Sequence, residues 1–499
     1  MAQKHATPPR GLLTVRHSPS FEGKFGRMFR ALRPAFDPND DSLKPIFTEL
    51  GAKMINDFDP PKDGADDEES GIPALYTYFG QFVDHDITFD PASSLQQAND
   101  PDALVDFRTP AFDLDNVYGR GPDDQPYMYQ PDGMQFQVGK KLSGANDPDA
   151  ADLSRGENGR ALIGDPRNDE NAIVSQLQGL FQRFHNRFVR DNQSLSFRDV
   201  QLEVRFHYQF VVVNDFLERI VHSDVLNALR TNGIFDRAKL RFYEPRNSPF
   251  LPVEFSVAAY RLGHSMIRPG YRLNDAVLLP IFPAPDHGFP EGLTGFRPMN
   301  PLWGIDWGRF IDIDQRAYDG DDAVKKNRLQ FAYRIDTSLV NILQTLPAAV
   351  AVNPSSLAAR NLLRAWRLGL PSGQDVARAM KVTPLKDSEI HIGPGLESGL
   401  PPLTIADIAG GKFKGRCPLW TYILAEAMLH MQPVKIPVVE DRTIQTPRLG
   451  PVGGRIVAEV FLGLMFGDPH SMLSLHPDWY PKLGPDYKLR DFVNYALGM

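Results

Sequence analysis

The stretch ALYTYFGQFVDHDITFD, residues 74–90, decides how the rest of the chain is read. Leu75, Phe79, Phe82 and Val83 recur at helical spacing, which predicts a helix with one face packed inward. On that helix Gln81 and His85 are four apart and project from the same side. Asp84 and Asp86 flank the histidine, each turned roughly 100° around the axis, to opposite sides of it. A histidine between two acids and behind an apolar face is costly to bury unless its polar atoms find partners. From the helix alone, a solvated acidic end remains the alternative.

Outward from this segment, the composition is that of a globular protein. Of 499 residues 42% are hydrophobic and 23% charged, enough for a large core; length alone suggests about two or three domains. The net charge of −8 argues against nucleic acid or an anionic membrane as partner. A single cysteine, Cys417, excludes a disulfide framework and any multi-cysteine metal site. The opening MAQKHATPPRGLLTVRH lacks an apolar core of signal-peptide length, and the apolar run near 455–467 is too short to span a bilayer. A cytoplasmic protein, or one exported by a non-classical route, is expected.

Residues 1–70, rich in Pro, Gly, Asp and Lys, read as an irregular arm that wraps the domain or stays loose, with 71–499 as the main domain. In DFRTPAFDLDNVYGRG (106–121), Thr109, Ala111, Asp113 and Asp115 alternate, so an extended loop would bring two carboxylates, a hydroxyl and backbone carbonyls to one side. Those oxygens suit a hard cation, Ca2+ best, with Asp86 as a further ligand. A turn held by local Asx bonds is the alternative.

At GDPRNDENAIVSQLQGLFQRFHNRFV (164–189), Asp165 as cap and Pro166 in the first turn predict an amphipathic helix with Arg167 and Glu170 on one face near its start. Helices are also expected over 200–220, 255–267, 361–367, 419–431 and 457–466, and a long surface excursion over 271–335. The 255–267 helix would carry Tyr260, Arg261 and His264 on one side, and Gly263 would let a flat group approach. Asn361, Arg364 and Arg367 lie three apart. The fold should be mainly α.

Taken together, GQFVDHD (80–86), TPAFDLDNVYG (109–119), GDPRNDE (164–170) with FHNR (184–187), YRLGH (260–264) with IRP, and NLLRAWRLGLPSG (361–373) resemble the mammalian-type haem peroxidases of the peroxidase–cyclooxygenase superfamily. They occur in that family's order across about residues 70–375. The resemblance implies a mainly α peroxidase fold with haem b between central helices. It also implies reduction of hydrogen peroxide through a ferryl state and oxidation of a small donor such as halide, thiocyanate or phenol.

Carried over by position, the resemblance makes His85 the distal histidine, Gln81 the glutamine lining the pocket and Arg167 the distal arginine. His264 becomes the proximal iron ligand and Asn361 the acceptor for its other ring nitrogen. Asp84 and Glu170 match acids that form ester bonds to haem methyl groups, and Arg261 and Arg364 match arginines near the proximal side and the propionates. Asp86, Thr109, Ala111 (by its carbonyl), Asp113 and Asp115 match a calcium site.

The chain also departs from the pattern. Asn171 stands where one mammalian branch has the methionine of a sulfonium link, so no such bond is expected. Arg367-Leu368-Gly369 replaces the familiar Arg-Asp-His-Gly, and Asp115 replaces a serine of the animal calcium loop. With a single cysteine and no signal peptide, a bacterial-type member is expected. Two rivals stand beside this reading. A haem fatty-acid dioxygenase of the same superfamily would carry a tyrosine three residues before the proximal histidine, where this chain has Arg261, with Tyr260 one residue away. A non-catalytic, calcium-stabilised binding protein would have lost the pocket residues, which are all present here.

Overall fold

Helices carry this fold, a computed structural model that describes residues 25–88, 110–245, 248–347, 353–394, 403–436 and 442–499. The longer ones are α1 (Lys44–Lys53), α2 (Leu75–Ile87), α3 (Ala172–Asp191), α4 (Phe197–Val211), α5 (Leu357–Arg367), α6 (Leu419–Ala427), α7 (Gly453–Gly467) and α8 (Leu489–Leu497). Among the described residues every sheet has only two strands, and no helix is long and apolar enough to cross a membrane. The mainly α expectation holds.

The helix α2 lies in the centre because its apolar face is fully covered. Leu75, Phe79, Phe82 and Val83 have no exposed surface. Phe82 stacks on Phe181 of α3, centroids 4.3 Å apart, and Phe79 meets Phe216 edge-on at 5.4 Å. A Cβ at Gly80 would come within 3.0 Å of the Phe216 ring, so glycine sets how closely α2 packs there. Phe216 ends a π-helical turn, Val212–Phe216, that interrupts the expected 200–220 helix after α4. The widened turn delivers Asp215 to the Tyr76 hydroxyl (2.5 Å) and to Arg219 Nε (2.7 Å), which pins the start of α2.

Strand β1 (Glu69–Pro73) leads straight into α2 and pairs antiparallel with β2 (Phe331–Tyr333). The hairpin of β3 (Met431–Lys435) and β4 (Thr443–Pro447) closes over β1, where the Gly71 N–H donates to Thr446 Oγ1 at 2.8 Å.

Several expectations need correction. The 1–70 arm is not irregular over Lys44–Lys53. There α1 buries Phe47 and Leu50, and the Phe47 ring stacks on Trp366 of α5 at 5.3 Å. The segment after Pro166 is not one helix. A 3-10 turn, Pro166–Asp169, ends at Glu170, and α3 starts afresh behind Asn171, an extended residue whose Oδ1 accepts the N–H groups of Ile173 and Val174. Likewise 255–267 is a short helix, Val253–Ser256, then a 3-10 turn, Ala259–His264, broken at Ala258 (φ −128°, ψ −74°). The 271–335 stretch is no surface excursion, since Tyr271, Trp303, Trp307, Phe310 and Phe331 are buried in it.

Beside β1 the fold depends on one carboxylate. Glu69, 2% exposed, accepts from Arg268 Nη1 (2.6 Å), from both Arg328 Nη atoms (2.8 Å each) and from the Tyr318 hydroxyl (3.1 Å). Glu69→Leu strands two buried guanidiniums and should cost about 3–5 kcal/mol in urea unfolding. A loss under 1 kcal/mol would show that the cluster does not hold β1.

Candidate functional site

The last turn of α2 meets the 3-10 turn Pro166–Asp169 in a continuous set of polar contacts. His85, 4% exposed, faces Asn168 Oδ1 through Nδ1 at 2.7 Å. Asn168 in turn donates from Nδ2 to Gln178 Oε1 at 2.8 Å. The other ring nitrogen, Nε2, lies 3.5 Å from Glu170 Oε1. Gln81 Nε2 donates to that same oxygen, and Asn171 Nδ2 donates to Gln81 Oε1 at 3.4 Å.

Arg167 does not pair with Glu170 as a first-turn partner would. Its Nη2 bonds Asp165 Oδ2 at 2.8 Å and reaches the carbonyls of His85 (3.1 Å) and Thr88. Asp165 therefore both caps the turn, accepting from the Arg167 N–H at 2.8 Å, and anchors the guanidinium. Asp84 Oδ1 accepts the Thr88 hydroxyl at 3.1 Å, and its charge is felt at His85 and Glu170. Gln81, Asp84, His85, Arg167 and Glu170 thus converge.

Burial first, then the Arg167 charge, lowers the His85 pKa to about 4, so the imidazole is neutral at neutral pH. Burial raises Glu170 to about 7. A third (34%) of the Glu170 side chain is uncovered, so this carboxylate borders space that protein does not fill.

The Ala259–His264 turn also packs against α2. The Tyr260 hydroxyl donates to the Gly80 carbonyl at 3.1 Å, and Thr77 Oγ1 to the Met266 carbonyl at 3.4 Å. His264 Nδ1 sits 2.7 Å from the Asn361 side-chain amide of α5, whose Nδ2 faces the ring; a half-turn of that amide places its oxygen there instead. Burial and the neighbouring Arg261 hold the His264 pKa near 3. Arg261 itself donates from Nε to the Ser256 carbonyl at 2.9 Å. Arg364 lies half-buried three residues beyond Asn361 on α5. A Cβ built on Gly263 would meet no atom within 4 Å, so a flat group has room beside His264.

Behind His85, Asp86 comes together with Asp113 and Asp115, with carboxylate oxygens within 4.8 Å of one another. Asp86 has no exposed surface, and the donors nearest its oxygens, the Tyr208 hydroxyl and the Leu114 N–H, fall short of well-formed hydrogen bonds. The loop is not simply extended. Leu114, fully buried, adopts φ +58°, and Asp115 already opens a short helix, Asp115–Tyr118. This kink, rather than alternation, brings Asp113 and Asp115 to Asp86. Ala111 is buried in the same loop, and Thr109 lies outside the described residues.

Sequence reasoning missed three residues. Asn168 lies inside a motif already quoted, and Gln178 is two turns further on. Tyr208 contributes a buried hydroxyl next to Asp86. Nothing in local spacing marks the last two.

The comparisons place this fold in a haem-dependent class of oxidoreductases. The animal haem peroxidase family model matches residues 93–389, so the chain belongs to that family, whose cofactor is haem. The matched span holds Arg167, Glu170, His264 and Asn361, while α2 precedes it. A peroxidase-like protein of Margaritifera margaritifera is 26% identical over 318 residues, covering 50% of this chain. This chain spans about two fifths (39%) of that relative's length. Peroxidase A from Dictyostelium discoideum superposes with TM-score 0.56 at 14% identity, over 92% of this chain and 89% of that one. The fatty acid alpha-dioxygenase of Oryza sativa does so with TM-score 0.56 at 17% identity, over 95% and 81%. At such identities the likeness is one of fold.

The acid cluster yields a pH signature. Without a cation, burial and the Asp115 charge raise Asp113 from 3.8 to about 8. Its proton is held more tightly folded than unfolded, so its contribution is complete below pH 4 and is lost as pH rises toward 8. In chelator, the urea midpoint should fall from pH 4 to 8, and millimolar Ca2+ should remove most of that fall. Curves that coincide with and without the cation would refute a metal-dependent cluster.

Proposed function

We propose that this chain is a haem peroxidase that reduces hydrogen peroxide and oxidises a small donor, namely a halide, thiocyanate or phenol. One observation carries the reading: a neutral His85 beside an anchored Arg167 at the end of α2, and a neutral His264 held by Asn361 on a turn that packs against the same helix. The open position at Gly263 and the uncovered face of Glu170 supply room for haem b between them. When bound, haem supplies an iron centre that peroxide can oxidise.

His264 would hold the iron through Nε2. That requires the proton on Nδ1 and the oxygen of the Asn361 amide turned toward it. Arg261 and Arg364 would face the proximal side and the propionates. Asp84 and Glu170, two carboxylates close enough to repel each other, would sit at the haem edge as candidates for ester links. His85 Nε2 takes the proton from the nearer peroxide oxygen and returns it to the leaving one, a role worth roughly 10²–10⁴-fold. Arg167 cannot lose its proton and offers fixed positive charge to the departing oxygen. Gln81, tied to Glu170, borders the same space.

Asp86, Asp113 and Asp115, with the Ala111 carbonyl and Thr109, would hold Ca2+, which accepts six to eight oxygens. The burial of Asp86 against two other carboxylates supports this, because such a group, without a well-formed hydrogen bond, needs a cation to stay ionised.

The dioxygenase reading shares the fold, but Tyr260 is committed to the Gly80 carbonyl and Arg261 occupies the position three before His264. Stopped-flow mixing of haem-loaded protein with peroxide, followed by a phenol or iodide, separates the two. His85→Leu should slow the peroxide step by about 10²–10⁴-fold. Oxygen uptake with a polyunsaturated fatty acid, and no peroxide-dependent oxidation, would overturn the proposal. Removing calcium should weaken haem retention and activity together; full activity in calcium-free, haem-bound protein would refute that coupling.

A further inference from the structure

The amide pair Asn168–Gln178 uses its hydrogen-bonding capacity to say which nitrogen of His85 carries the proton. Asn168 Oδ1 can only accept, so the 2.7 Å contact makes His85 Nδ1 the N–H donor. Asn168 Oδ1 is presented to the ring because Nδ2 is taken up by Gln178 Oε1 at 2.8 Å. Asn168 and Gln178 have no exposed surface, so water cannot substitute for either contact from bulk. Meanwhile Nε2, 3.5 Å from Glu170 Oε1, makes no hydrogen bond there and keeps its lone pair. A reversed pair of amides would place Nδ2 against the ring, move the proton to Nε2 and leave no base facing the space beside Glu170.

We propose that Asn168 and, through it, Gln178 are positioning residues that lock His85 in the Nδ1–H tautomer and so keep Nε2 as the proton acceptor. Their role is to fix direction. Gln178 sits on the second turn of α3 and Asn168 on the preceding 3-10 turn. The break at Glu170–Asn171 is what lets one segment fold back to meet the other. Gln178 Nε2 has no partner, so this residue also holds a spare donor for a carboxylate placed at 168. That makes Asn168→Asp the conservative variant: a carboxylate can only accept, so it holds the proton on Nδ1.

The proposal rests on His85 being the distal base, and its test separates the two ideas. Nitrogen-15 magic-angle-spinning NMR of histidine-labelled, haem-free protein reads the tautomer directly, with His85 identified by difference against His85→Gln. The wild type should show Nδ1–H, Asn168→Asp should keep it and Asn168→Leu should lose it. In haem-loaded protein, hydrogen cyanide binds as the anion and must pass its proton to the distal base. Its association rate should fall about 10–100-fold in Asn168→Leu and stay within a few-fold in Asn168→Asp. If Asn168→Leu does not fold, Gln178→Leu should slow cyanide uptake about 10-fold relative to Gln178→Glu. An Nε2–H tautomer in the wild type, or equal cyanide rates for the Leu and acidic variants at the position tested, would overturn the assignment. Wild-type protein with the Nδ1–H tautomer but no peroxide reaction would instead count against the peroxidase reading alone.

Discussion

The constraint on which the site depends is the burial of Asp86 immediately after His85. A carboxylate with no exposed surface and no well-formed hydrogen bond is among the least favourable groups a core can hold. Two further carboxylates within 4.8 Å make it worse, and the protein accepts a left-handed Leu114 to bring them there. Such an arrangement is stable only with positive charge among the three acids, or with their protons retained. Since His85 shares a helical turn with Asp86, whatever satisfies the acids also fixes the backbone of the imidazole.

The same helix is held from three other directions, each matched to one end or face. The π-helical turn supplies Asp215 to Tyr76 at the start of α2. Tyr260 takes the Gly80 carbonyl in the middle, and Arg167 takes the carbonyls of His85 and Thr88 at the end. Because Tyr260 belongs to the turn that carries His264, one hydrogen bond ties the two histidine-bearing segments together. Core packing and site geometry are therefore the same structure here, and a shift of α2 by a fraction of a turn would disturb both.

How much of this was legible in the chain follows from the range of each interaction. The helix around His85 was readable because its apolar residues obey a 3.6-residue period, and the five motifs occur in a fixed order. The convergence of Asp86, Asp113 and Asp115 was readable, though the wrong backbone device was expected: alternation instead of a kink at Leu114. The helix after Pro166 was drawn too long, since nothing in composition shows that Asn171 caps a new helix rather than extending the first turn. The 44–53 helix went unread because its flanks are Pro- and Asp-rich and its apolar face matches α5, more than 300 residues away. Asn168 and Gln178 pair across the break at Glu170–Asn171, so a periodic reading of one continuous helix could not bring them together.

Charge around the two histidines follows one rule with two different constructions. Each imidazole is buried and each has an arginine beside it, so each is kept from protonating. At His264 the arginine is local: Arg261 precedes it by three residues on a 3-10 turn, where three residues make one turn and the two side chains eclipse. At His85 it comes from a separate segment and is held there by Asp165. The difference suits what each ring would do in the proposed peroxidase. A ring that only donates a lone pair to a metal needs steady suppression of its charged form. A ring that must accept a proton and release it needs that charged form within reach, and Asp84 and Asp165 favour it where no acid does so at His264. Both imidazoles are neutral near pH 7, and only His85 has carboxylates that draw it back toward the charged form.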